Sequence, residues 1–177
     1  FYSLTAVNVA LFGKSPWKNL ICTGFINAAD GKKMSKKLKN YTDPMELMDK
    51  TSADSFRFLM LSGPLTNGEN FALADKDVVD VARKLSMVWN MYDFFTMYAE
   101  VDGWEFDGEL KDPLGELTNP LDIWIVSRLH QLVKDVDKGL DDYNLQDATK
   151  PILPFLDDAS NWYVRRSRRR FWRSSKG

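Results

Sequence analysis

Residues 28–44 read AADGKKMSKKLKNYTDP. Five lysines (Lys32, Lys33, Lys36, Lys37 and Lys39) fall within eight positions, and no acid lies between Gly31 and Thr42. Lysine offers a compact charge and three donors on a flexible stem. A loop that presents several of them, with Gly31 as a hinge, is suited to clamping phosphates. The segment is not a Walker A element, because it lacks GxxxxGK[ST]. On composition alone, a solvated lysine-rich turn accounts for the same residues.

A second basic cluster closes the chain. Residues 165–177 hold seven basic side chains, Arg165, Arg166, Arg168, Arg169, Arg170, Arg173 and Lys176, and no acid. Trp162, Tyr163, Phe171 and Trp172 are interleaved with them. On a helix Arg166, Arg170 and Arg173 share one face, while Arg165 and Arg169 carry the charge round the circumference. Burying such a helix would leave guanidinium groups unpaired at high cost. Arginine planes and aromatic rings suit RNA phosphates and unstacked bases, with Trp172 as the stacking candidate and Trp162 expected inside the fold. The alternative is a solvated face that pairs with Asp157 and Asp158 or with another domain. The formal net charge is only −1, so an acidic body carries two concentrated basic segments. That pattern implies local polyanion sites rather than diffuse coating of nucleic acid.

These two segments must be positioned by helices and a little sheet. Residues 4–12 suit a short apolar helix stopped by Gly13 and Pro16. NLICTGFINAADG, residues 19–31, reads as a strand that runs into the lysine loop. Asp43 caps a helix with Pro44 at its first position and Glu46 completing a capping box. A further helix starts at Thr51 or Ser52 and stops at Gly63-Pro64, with a connector up to residue 75. Val78, Val81, Leu85, Val88, Tyr92, Phe95 and Ala99 then stripe a long helix. Residues 102–119 read as a loop. Asn119-Pro120 opens a second helix striped by Leu121, Ile125, Leu129, Leu132, Val136 and Leu140. A third begins near Asn144, with Ala148, Ile152, Phe155, Ala159 and Trp162 on one face and kinks at Pro151 and Pro154. The expected fold is mostly α, a short α/β segment over residues 1–75 followed by an antiparallel helical bundle over 76–177.

The totals narrow the setting. With 44% hydrophobic, 28% charged and 13% aromatic residues, the chain is globular rather than disordered. No apolar run is long enough to span a membrane. The single cysteine, Cys22, permits no internal disulfide, fits a reducing, cytoplasmic setting and is expected as a small buried residue. The first residues show neither a basic leader nor a small-residue cleavage site, so no secretory signal is expected. With no initiator Met and an end at SSKG, the chain is expected to be a piece of a longer protein. No metal-ligand cluster stands out, and the one histidine, His130, is expected as a helix-surface or packed side chain rather than a catalytic group.

The order of residues within the lysine loop is more specific than its composition. Lys33-Met34-Ser35-Lys36-Lys37 resembles the KMSKS signature of class I aminoacyl-tRNA synthetases. DGKKMSKKLKNYTDPMELMDKTSADSFRFLML is similar to the isoleucyl branch over its whole length, as is NWYVRRSRRRFW at residues 161–172. Leu38-Lys39-Asn40-Tyr41 favours that branch over the valyl and leucyl ones, which usually continue Lys-Gly-Asn. The resemblance implies that residues 1–75 end a catalytic domain and that 76–177 form an anticodon-binding bundle. It implies ATP binding by Lys33, Met34, Ser35, Lys36 and Lys37, with Lys36 stabilising charge on the departing pyrophosphate and Lys33 assisting from the near side. The signature's final Ser is Lys37 here, which puts only the fifth position's role in doubt. It further implies Mg2+ with the ATP, and contact of Arg165, Arg166, Arg169, Arg170, Trp172 and Arg173 with the isoleucine tRNA. The His-x-Gly-His element, amino-acid pocket and editing domain of such enzymes would lie in missing N-terminal parts. A chain with one histidine cannot supply that element, so it is not expected to aminoacylate alone. Three other readings stay open: a valyl or leucyl relative, a stand-alone RNA-binding helical module, and a structural bundle whose basic tail docks an acidic protein.

Overall fold

The computed structural model describes residues 1–108 and 113–172. It is mostly α, as expected, with one small sheet. The first helix, α1 (Tyr2–Phe12), is followed by an extended run into β1 (Ile26–Ala28), the lysine loop, α2 (Pro44–Lys50) and α3 (Ala53–Ser62). A 3-10 turn at Pro64–Asn67 leads to β2 (Phe71–Leu73) and the long α4 (Asp75–Asp102). After a second 3-10 turn at Pro113–Gly115 come α5 (Pro120–Asp141), α6 (Leu145–Thr149) and α7 (Ile152–Asp157). A π-helical segment, Asp158–Val164, then runs into α8 (Arg165–Trp172).

The strand expected over residues 19–31 shrinks to three residues, because only those find a neighbour. β1 pairs in parallel with β2, with Ile26 opposite Phe71, Asn27 opposite Ala72 and Ala28 opposite Leu73. β2 lies inside what the sequence suggests is a connector. Just upstream of β1 the Gly24 amide donates to the Leu65 carbonyl at 3.0 Å, the Phe71 amide donates to the Phe25 carbonyl at 2.9 Å, and the Phe25 amide donates to Asn70 Oδ1 at 2.9 Å. The backbones approach so closely there that a Cβ on Gly24 would meet the Glu69 carbonyl oxygen at 2.0 Å. Cys22, on this thinly partnered run, is exposed rather than buried.

The caps follow the sequence with one correction. Asp43 Oδ1 accepts from the Met45 amide at 2.8 Å, and Ser52 Oγ accepts from the Ser55 amide at 3.1 Å. Glu46 does not close a capping box; it takes the ammonium of Lys50 one turn on. At the head of α4, Asp75 and Asp77 place negative charge on the positive end of the helix dipole.

Only part of each expected stripe is covered. On α4, Val78 and Val81 are buried, whereas Val88, Tyr92 and Phe95 are exposed. On α5 the buried positions are Asp122, Ile125 and Gly139, with Leu129 and Leu140 exposed. Gly139 is where α6 crosses: a Cβ there would stand 2.7–2.8 Å from backbone and side-chain atoms of Ala148. The third stripe breaks at Pro151, as expected, but its later phase differs. The π-helical segment adds residues per turn, so burial passes from Leu156 and Ala159 to Ser167, with Tyr163 half-buried. Trp162, expected inside, is 49% exposed for that reason.

Replacing Gly139 by Ala is expected to cost about 2–3 kcal/mol, because the obstructing atoms include backbone that cannot step aside. Urea denaturation of the two proteins measures the difference.

Candidate functional site: the lysine loop and the basic helix

The lysine loop leaves β1 through a tight turn. The Gly31 amide donates to the Ala28 carbonyl at 2.8 Å, and the Ala28 amide donates to the Lys32 carbonyl at 2.8 Å. Asp30 Oδ1 accepts from the Lys32 amide at 3.0 Å. Lys33 bridges back to Asn27 of β1 in antiparallel sense. The amides of Leu38 and Lys39 both donate to the Ser35 carbonyl, at 3.2 and 3.0 Å. Lys39 then takes φ 49°, a left-handed conformation that costs a side-chain-bearing residue about 1–2 kcal/mol. The resulting reversal brings Asn40 back against the start of the signature.

The structure gathers all five signature residues into this one turn. Lys33, Lys36 and Lys37 are exposed, and Met34 and Ser35 are half-buried. Met34 helps to line a cavity of about 440 Å³ beneath the loop, together with Tyr41, Thr42 and Asp75. Thr42 Oγ1 donates to Asp75 Oδ2 at 2.6 Å, tying the loop's far end to the first residue of α4. The exposed lysines can therefore meet an anion, while Thr42 ties the end of the loop to α4.

On α8 the arginines divide. Arg165, Arg166, Arg168 and Arg169 are exposed. The Arg166 guanidinium lies 3.8 Å from the centre of the Trp162 ring, a cation–π contact that leaves both groups at the surface. Arg170 is half-exposed and also reaches back to the bundle: its guanidinium grips Asp122 of α5 with two bonds, at 2.5 and 2.7 Å. Tyr163 adds a third, donating its hydroxyl to Asp122 Oδ1 at 3.1 Å. Asp122 is nine-tenths buried. Arg170 holds its carboxyl below the ordinary carboxylate value by hydrogen bonding, assisted by the Tyr163 hydroxyl and opposed by burial. Burial, with the Asp122 charge second, pushes the Tyr163 phenol up.

The acids suggested as partners of the tail are occupied elsewhere. Asp158 takes Arg128 of α5 at 3.0 Å, and Asp157 accepts from Asn161. Phe171 packs against Phe94 and Tyr98 of α4, with centroids 5.1 and 5.7 Å away, while Trp172 is 61% exposed. Arg173 lies outside the described residues. His130 is on the exposed surface of α5. The Asp122 latch was missed in the sequence because an acid in the first turn of a helix reads as a dipole partner. Its one signal was its place on the buried side of the stripe, three residues before Ile125.

Comparison with known proteins gives the family of the chain. Residues 1–72 match the family described as tRNA synthetases class I (I, L, M and V). Residues 122–176 match the anticodon-binding domain of tRNA ligase. The chain belongs to the class I tRNA synthetases. Among its relatives, the isoleucine–tRNA ligase of Treponema denticola is 41% identical over 98% of this chain. That of Protochlamydia amoebophila is 42% identical over 97%. The chain spans only 17% and 16% of those proteins' own lengths. In fold it is similar to a leucyl-tRNA synthetase of Agrobacterium radiobacter solved in complex with tRNA and LeuAMS. The TM-score is 0.69 at 20% identity, covering 92% of this chain and 20% of that one.

A carboxyl whose folded pKa is depressed contributes stability above its unfolded value, near 3.9, and loses it as pH falls through the folded value. The excess stability of the native chain over Asp122→Asn should therefore be greatest at neutral pH and shrink below about pH 4. Urea titrations of both proteins at pH 7 and pH 3 test this.

Proposed function

We propose that this chain is the stretch of an isoleucine–tRNA ligase that ends the catalytic domain, over residues 1–75, and begins the anticodon-binding bundle, over 76–177. The single observation that carries the reading is the turn Lys33–Lys37, which leaves Lys33, Lys36 and Lys37 exposed, in a chain about 40% identical to such ligases. The parent enzyme would activate isoleucine with ATP and transfer it to the isoleucine tRNA. The isoleucine carboxylate attacks the α-phosphate, the bond to the β-phosphate breaks, and pyrophosphate departs. Lys36 would neutralise the charge that grows on the leaving group, and Lys33 would support it. This is stabilisation present mainly in the transition state, so it acts on kcat more than on ATP binding.

Ser35 would fix the turn through its backbone, and Lys37 would add charge at the rim. Mg2+ belongs to the proposed reaction as a companion of the triphosphate. The loop's own ammonium groups repel a cation, so no residue here is assigned to it. The histidine pair that grips the nucleotide, the amino-acid pocket and the editing site would come from other parts of the same enzyme. Such an enzyme works in the cytoplasm. On the bundle, Arg165, Arg166 and Arg169 would meet tRNA phosphates, Trp172 would offer a face to an unstacked base, and Arg173 would extend the same surface. Arg170 would serve them indirectly, by holding α8 against Asp122.

In the complete enzyme, Lys36→Ala should slow isoleucine-dependent ATP–pyrophosphate exchange by about a hundredfold while the KM for ATP changes by less than about threefold. An unchanged exchange rate removes Lys36 from the mechanism. For the bundle, replacing Arg165 and Arg169 together by Gln should weaken binding of the isoleucine tRNA and flatten its salt dependence. Equal affinity of the native enzyme for an unrelated RNA would discard the specific role.

A further inference from the structure

We propose that Asn40 is the positioning residue of the lysine loop, its side-chain amide bridging Lys33 and Ser35 so that Lys33 and Lys36 are held as one unit for the triphosphate. The proposal deepens the function proposed above and rests on it.

The Asn40 side chain makes two opposite bonds across the turn. Its Oδ1 accepts from the Ser35 amide at 2.9 Å, and its Nδ2 donates to the Lys33 carbonyl at 3.2 Å. The residue is half-buried, and the bond to Ser35 is partly shielded from water. Ser35 thereby has its amide bound by Asn40 and its carbonyl bound by the amides of Leu38 and Lys39. Lys36 and Lys37 project from the span between those two fixed points. Lys33, at the other end of the bridge, is fastened to Asn27 of the sheet.

Few side chains could replace this one. The position uses a donor and an acceptor on the two separate atoms of one short carboxamide, and glutamine, the other carboxamide, is one carbon longer. Aspartate keeps the acceptor and loses the donor, and alanine loses both. The left-handed Lys39 immediately before it is a strained arrangement of the kind found where a local geometry is enforced. Here the strain is what aims the Asn40 amide back at the signature. The loop is therefore a preassembled unit: a hinge at Gly31 would swing the lysines together, without each having to find its place. Loss of the bridge should leave the positive charge near the nucleotide but scatter its arrangement, which costs rate rather than affinity.

The test compares Asn40→Ala, Asn40→Asp and Lys36→Ala in the complete enzyme, with two readouts. One is isoleucine-dependent ATP–pyrophosphate exchange. The other is the rate of trypsin cleavage after Lys33, Lys36 and Lys37, followed by peptide mass. Asn40→Ala should lower kcat about tenfold with the KM for ATP within about twofold, and should speed cleavage after Lys36 and Lys37. Asn40→Asp, which retains one of the two bonds, should fall between native and Ala. The proposal is overturned if Lys36→Ala slows exchange while Asn40→Ala changes neither kcat nor cleavage. Faster cleavage with kcat and KM both native would also overturn it, since that is a structural role only. If Lys36→Ala is itself without effect, the nucleotide reading fails first, and the purpose assigned to Asn40 falls with it.

Discussion

The pairing of two three-residue strands sets the geometry of everything else. Because β1 and β2 run parallel, their carboxyl ends lie on the same side of the sheet, where α/β proteins place their ligands. The lysine loop leaves one strand and α4 leaves the other, so the two begin as neighbours. Thr42 and Asp75 seal that adjacency with a 2.6 Å hydrogen bond. Asp75 serves both partners, accepting from the loop and favouring the N-terminus of α4. The lysine loop and the first helix of the bundle thus share one root.

At the far end, orientation rather than charge is the scarce quantity. Six arginines in nine residues would repel one another on a free helix. The bundle holds α8 by pairing one of them, the half-exposed Arg170, with a buried carboxylate. A buried charge without a partner costs several kcal/mol, so Asp122 and Arg170 stand or fall together. Phe171 supplies the apolar half of the attachment against Phe94 and Tyr98. The π-helical segment just before α8 makes both contacts possible, because it rotates Tyr163 inward and Trp162 outward.

The parts legible in the sequence were those set by local chemistry. The signature loop, the Asp43-Pro44 and Ser52 caps, the Asn119-Pro120 start and the break at Pro151 all depend on residues close along the chain. What the sequence hid depends on residues far apart. β2 is three residues with no alternating pattern, and it exists only because β1 lies beside it. The phase slip at Asp158–Val164 cannot be read from a 3.6-residue period, so Trp162 was assigned to the core on a face that had already turned. Asn40 looked like part of a branch-specific run, and only the reversal at Lys39 shows where its amide goes. Cys22 misled because small apolar residues are usually buried, whereas its segment has neighbours on one side alone.

In the function proposed here, the exposed lysines of the turn face a triphosphate. An acyl-phosphate derivative of ATP, which transfers its acyl group to amines beside the phosphates, tests this most directly on the complete enzyme. Peptide mapping should find the acyl group on Lys33 or Lys36, and excess ATP should suppress it. Label confined to lysines outside residues 32–39, or label on the loop that ATP does not suppress, would contradict the account.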